Sequence, residues 1–177
     1  MSLAGGAGAY HDPPPPAHPG GFGEPTCATC HRGADLDAPG GSLELVVPAR
    51  HQAGEEYVIE VRLVRSATAR AGFALSARFA EGEVAGRQAG ELATTSPAVR
   101  VVAAHDVSYA GHTAAGSSAA LVDGGAEWRL RWRAPGSPRG PVVFHLAVNA
   151  GNDDDSELGD FVYLATALSR PATPPRP

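Results

Sequence analysis

The stretch "EWRLRWRAP" (residues 127–135) alternates without a break. Trp128, Leu130 and Trp132 fall on one side of an extended chain, and Arg129, Arg131 and Arg133 on the other. Successive side chains of a strand point to opposite faces, so this run reads as a strand with one dry face and one wet face. The two tryptophans are expected in a core. The arginines are expected on a solvated face; contact with the acidic groups of a cofactor or redox partner is the rival reading.

The same period of two recurs along the chain. It appears in "SLELVV" (42–47), "YVIEVRLV" (57–64), "GFALSARF" (72–79), "VRVVA" (99–103), "VVFHLAVN" (142–149) and "FVYLATAL" (161–168). Each run is short and bounded by Gly, Pro or Asp, the residues that turn a chain. Such a series predicts an all-β, two-sheet antiparallel sandwich, with a closed barrel as the alternative. The segment "DVSYAG" (106–111), flanked by His105 and His112, is expected to be a loop between strands. Composition agrees with strands and turns: 22 Gly and 16 Pro in 177 residues work against long helices.

Upstream the pattern is different. "DPPPPAHPGG" (12–21) has neither helical nor central-strand character, because proline fixes φ and removes donors. Residues 1–41 are expected to be an irregular segment, 42–169 the sandwich and 170–177 a disordered tail. The net charge of −5 argues against nucleic acid as a partner. No run of eighteen apolar residues occurs, so no membrane span is expected. The start "MSLAGGAGAYHDPPPP" lacks a signal peptide's charged and apolar regions, which leaves a cytoplasmic protein or a trimmed chain.

Both cysteines lie in "EPTCATCHRG" (24–33). Cys27, Cys30 and His31 form Cys-x-x-Cys-His, the attachment pattern of c-type haem. On a helical turn, residues three apart share a face, so both thiols can reach the two vinyl groups along a haem edge. The adjacent imidazole can then bind the iron. A disulfide between Cys27 and Cys30 is one alternative. A zinc site would need two more ligands, and a thioredoxin-like pair would need a βαβ pattern. The expected cofactor is therefore one covalent haem c per chain.

The only methionine is Met1, so a histidine or no residue is expected as the second axial ligand. His11, His18, His51, His105, His112 and His145 all stand as candidates. His11 and His18 lie in the proline-rich segment, and His145 reads as a strand surface residue. The acidic run "NDDDSE" (152–157) reads first as a solvated hairpin tip and second as a calcium loop. Ser117 and Ser118 have no base and acid at a recognisable spacing, so no hydrolase chemistry is assigned.

The runs "GEEYVIEVRL", "GFALSARF", "SYAGHTAAGSS", "EWRLRWRAP" and "GPVVFHLAVNAGNDDDSELGDFVYLATALS", preceded by "GFGEPTCATCHRG", resemble the bacterial Reeler (reelin-like) domain in versions that carry a c-type haem motif. The resemblance covers roughly residues 20–169, judged by the spacing of the strand signals. It implies an immunoglobulin-like β-sandwich, exported to the periplasm or cell surface. It also implies a histidine-threonine pair before the tryptophan strand, here His112-Thr113, and so raises His112 as the second iron ligand. The chain departs from the family in showing no export signal and no anchor.

The expectation that follows is a mono-haem c-type cytochrome exchanging electrons with an exported redox partner. It is expected to be a carrier or binding module rather than an enzyme. Two rivals stand beside it. One is a haem-based sensor or small-molecule binding module with an open iron site. The other is a haem-free surface or adhesion domain with a Cys27–Cys30 disulfide. The oligomeric state is not expected to be readable from the sequence.

Overall fold

The computed structural model describes residues 14–172 apart from residue 155. The described strands are β1 (Gly41–Val46), β2 (Arg50–His51), β3 (Glu56–Arg65), β4 (Arg70–Phe79), β5 (Glu91–Thr94) and β6 (Val99–Ala104). They continue with β7 (Val107–His112), β8 (Leu121–Val122), β9 (Gly125–Arg133), β10 (Val142–Gly151) and β11 (Phe161–Pro171). They form two sheets. One runs β1-β3-β9-β5, with β8 also on β9; the other runs β2-β11-β10-β4-β7-β6. All pairings are antiparallel except β2 with β11. The architecture is an all-β sandwich, and the barrel alternative falls.

The tryptophan strand sits as its alternation requires. Trp128, Leu130 and Trp132 are buried, and the three intervening arginines are exposed. Trp128 packs on Phe73 with ring centroids 5.0 Å apart, and Trp132 meets Phe144 edge-on at 5.0 Å. These contacts join the inner faces of β9, β4 and β10 across the sandwich. The Trp132 indole N–H donates to the Ala89 carbonyl at 2.9 Å, whereas the Trp128 N–H is buried without a partner among the described residues. On the opposite face, Arg129 pairs with Glu60 at 3.2 Å and Arg131 with Glu56 at 3.2 Å. The arginine stripe is thus the wet face, neutralised from the neighbouring strand.

Three expectations are corrected. "DVSYAG" is a strand, not a loop: β7 pairs with β6 and β4. Its Ser, Ala and Gly residues gave no apolar alternation, but they let other chain segments approach closely. His105 and Asp106, at φ +50° and +63°, form the two-residue turn between β6 and β7. The last strand continues through Arg170 and Pro171, which pair with Arg50 and His51, so the expected tail boundary lies inside β11. Residues 173–177 lie outside the described residues.

The third correction concerns His145 and what lies over it. Residues 14–40 are irregular, and they form a cover on the outer face of the six-stranded sheet. On that face β4 presents Gly72, Ala74, Ser76 and Arg78, and β10 presents His145, Ala147 and Asn149. Most of these are buried. The Phe22 ring stands edge-on to His145 at 5.4 Å. Glu24 accepts from both the Arg78 guanidinium and the Tyr109 hydroxyl. The Asp37 carboxylate accepts from the Leu164 N–H at 2.8 Å. His145 is therefore covered rather than a bare surface residue.

Replacing Trp132 by Ala is expected to cost about 3–5 kcal/mol, read as a lowered urea midpoint. Arg131→Ala, which loses one exposed pair, is expected to cost less than about 1 kcal/mol. Burial lowers the pKa of His51 and, with help from Arg78, that of His145 below the ordinary 6.5. The unfolded chain then binds protons more tightly than the folded one. Stability is expected to be complete above about pH 6.5 and to fall as pH drops towards the folded values, a limb that urea titrations across that window measure directly.

Candidate functional site

The site begins with a local turn. Thr26 caps it by accepting the Ala28 N–H on its hydroxyl at 3.2 Å. Cys27–Thr29 then form a 3₁₀ turn, in which residues three apart eclipse. The Cys27 carbonyl accepts N–H groups from Cys30 at 3.2 Å and His31 at 2.9 Å. Both cysteines are free thiols, and both are half-buried.

The turn is latched to the loop between β10 and β11. The Arg32 N–H donates to the Glu157 carbonyl at 2.7 Å, and the Gly159 N–H donates to the Arg32 carbonyl at 3.0 Å. Gly33 is needed here twice over. Its φ is +114°, and a Cβ would stand 2.9 Å from the Gly159 nitrogen. The latch sets His31 against Asp160. The His31 Nδ1–H donates to Asp160 Oδ2 at 2.6 Å. Asn149 donates to the same oxygen at 2.9 Å. The Asn152 N–H reaches Asp160 Oδ1 at 3.4 Å. Asp160 and Asn149 are both nearly buried.

A cavity of about 840 Å³, counted to its open mouth, lies between the turn and the outer face of the sheet. Cys27, Cys30, His31, His18, His112 and Asn149 all line it. His112 comes from the end of β7, and its ring lies against Gly72; a Cβ there would stand 2.3 Å from the ring. Burial lowers the His112 pKa to about 4, so the ring is neutral at neutral pH. Its Nδ1 accepts the Phe73 N–H at 3.1 Å. That bond places the ring proton on Nε2. His18 has the opposite arrangement: its Nδ1 lies 3.0 Å from the Pro16 carbonyl, which only accepts, so Nε2 carries the lone pair.

The remaining candidates are elsewhere. His51 is buried beside Trp132 and bonded to Ser169 at 2.9 Å. His105 is in the β6–β7 turn, His145 lies under Phe22, and His11 is outside the described residues. The acidic run closes on itself: Asn152 and Asp154 side chains accept N–H groups two residues on. No cluster of three ligating side chains suited to a metal ion occurs among the described residues. Nor is any helix there long and apolar enough to cross a membrane.

The donor set is of the kind that a covalently held haem would need: Cys27 and Cys30 bracket one turn on the cavity wall, and the adjacent imidazole has Nδ1 bonded to Asp160 and no bond at Nε2 among the described residues. Asn149 Oδ1 is buried without a partner among the described residues, an unused polar group on the cavity wall. Sequence reasoning did not assign Asp160 or Asn149 a part. The signal lay in "NAGN" (149–152) and "GDFVY" (159–163), at the end of β10 and the start of β11.

No family model matches this chain, and no curated protein matches it. Among solved structures, it is similar to the reeler domain of human F-spondin at 15% identity, over 79% of this chain and 94% of that one, with a TM-score of 0.48. It is also similar to a DUF4466 family protein from Parabacteroides merdae at 14% identity, with a TM-score of 0.39. That alignment covers 72% of this chain and 42% of that one.

Burial raises the Cys27 thiol to about 12. Only the thiolate alkylates. In the folded chain with free thiols, iodoacetamide at about pH 8 is expected to modify Cys27 orders of magnitude more slowly than in the urea-unfolded chain, as followed by peptide mass.

Proposed function

We propose that this protein is a mono-haem c-type electron carrier with a reelin-like sandwich as its scaffold, working in the periplasm or at the cell surface. One observation carries the reading: the Cys-x-x-Cys-His turn and a distant histidine, His112, line the same cavity. Cys27 and Cys30 would hold the porphyrin edge through thioethers. Each S–H would add across a vinyl double bond, with nothing released and no oxidant consumed. His31 Nε2 would bind the iron. When bound, the group supplies one-electron chemistry.

The chain's own residues do the rest. The turn and its latch position His31. The small outer-face residues of β4 and β10 leave space over the sheet. His112 is the proposed second ligand, supported by its place on the cavity wall. To ligate through Nε2 it must give up the Phe73 hydrogen bond. His18 is the second candidate, since its Nε2 is already free. The partner is proposed to be an exported redox protein that meets the open mouth of the cavity through a small, transient contact.

A second reading has its own observation. With Nδ1 held by Phe73, His112 is a hydrogen-bond donor into the cavity, which favours a small-molecule binding or sensing module with an open iron position.

Visible spectra decide between them. The full chain is exported together with cytochrome c maturation proteins and measured oxidised and reduced, beside His112→Ala and His18→Ala. A low-spin spectrum that turns high-spin in one variant identifies the second ligand and supports electron transfer. A high-spin wild type that binds carbon monoxide rapidly selects the sensing module. No Soret band removes the haem, and the two thiols then stand as a disulfide pair on a surface domain.

A further inference from the structure

The carboxylate behind His31 has no counterpart in the attachment motif. Asp160 lies 129 residues from His31, yet their bond at 2.6 Å is the shortest one His31 makes. Asp160 is 5% exposed and its side chain 4% exposed, so solvent does little to screen it. A buried carboxylate needs donors, and three are supplied: His31 Nδ1–H, Asn149 Nδ2–H and the Asn152 N–H. The bond also has a direction. A carboxylate oxygen accepts only, and at 2.6 Å it outweighs the Asn149 Nδ2 that lies 3.1 Å from the same nitrogen, so the proton is on Nδ1 and the Nε2 lone pair is left for the cavity.

We propose that Asp160, steadied by Asn149, is a positioning residue that locks His31 in the Nδ1–H tautomer and lends it anionic character. This inference rests on the haem reading. A more anionic imidazole donates more strongly to a metal and favours the oxidised state, so Asp160 sets a low reduction potential. Asn149 contributes by donating to the same oxygen, which fixes the carboxylate's angle. The latch through Arg32, Glu157 and Gly159 keeps the two partners in register.

His31 lines the cavity, and its Nε2 makes no hydrogen bond among the described residues. Asn149 Oδ1, buried and unpaired, marks the same wall.

The test is a redox titration of the haem-loaded full chain, wild type against Asp160→Asn, Asp160→Glu and Asn149→Ala. Asp160→Asn replaces a charge-assisted bond by a neutral one. At the ambient potential where the wild type is half reduced, the ratio of reduced to oxidised protein is expected to rise roughly tenfold in Asp160→Asn. Asp160→Glu is expected to restore most of the wild-type potential, and Asn149→Ala to shift it less. A merely structural role would lower the thermal midpoint without moving the potential. An unmoved potential in Asp160→Asn, with haem attached, overturns the proposal and leaves the haem reading standing. A wild type without covalent haem removes the haem reading and with it the potential. Nitrogen NMR of His31 in that haem-free full chain then decides the tautomer: Nδ1–H in the wild type and mixed forms in Asp160→Asn support the lock, and mixed forms in both overturn it.

Discussion

A sheet buried on both faces needs two covers, and this constraint shapes the molecule. In β4 every residue after the first is buried, and β10 is buried along almost its whole length. One face of the six-stranded sheet packs on the tryptophan strand of its partner sheet. The other would present Ala74, Ser76 and Ala147 to water if residues 14–40 were not laid across it. Burying that surface ties the irregular segment to the sandwich. The cavity lies between the segment and the sheet. The cover and the candidate site are thus one feature.

The cover is held by chemistry that a loose tail would lack. Arg78, Glu24 and Tyr109 form a nearly buried cluster, with Phe22 against the Arg78 guanidinium at 5.3 Å. Burial, together with Glu24, pushes the Tyr109 hydroxyl up to about 12, so it stays protonated and donates. Buried ion pairs contribute little net stability after desolvation. Breaking one is expensive, however, because it strands the other charge. We read the cluster as a register device: it fixes where the segment lands, and so where Cys27 begins its turn.

The opposite sheet shows the contrast. Its outer face carries Arg62, Arg129 and Arg131 against Glu44, Glu56, Glu60 and Glu127, all in solvent-facing pairs. These pairs set charge against charge on a face open to water. The alternation that identified β9 therefore predicted its environment correctly on both faces. It did so because one face of that sheet is truly wet. For β10 the same logic made His145 a surface residue, and it failed because period two reports which side a residue is on, not whether that side is covered.

Local chemistry was legible where its cause is local. Alternation set most strands, proline and glycine set the breaks, and the spacing of Cys27, Cys30 and His31 pointed to a turn there. β7 was not legible, because Ser108, Ala110 and Gly111 are too small to carry a pattern, and their role is to allow close approach. The residues alone did not separate the histidines; only the family resemblance favoured His112, and the assembled sheets place His18 and His112 on the cavity wall while His51, His105 and His145 lie elsewhere. The pairing of His31 with Asp160 joins residues that no spacing rule connects. By itself the sequence determined the turn, most of the strands and the motif, each through contacts within a few residues. Only tertiary structure decided which face was covered, which imidazoles share the cavity and which carboxylate backs His31, because those follow from strand register and from the burial of a second face.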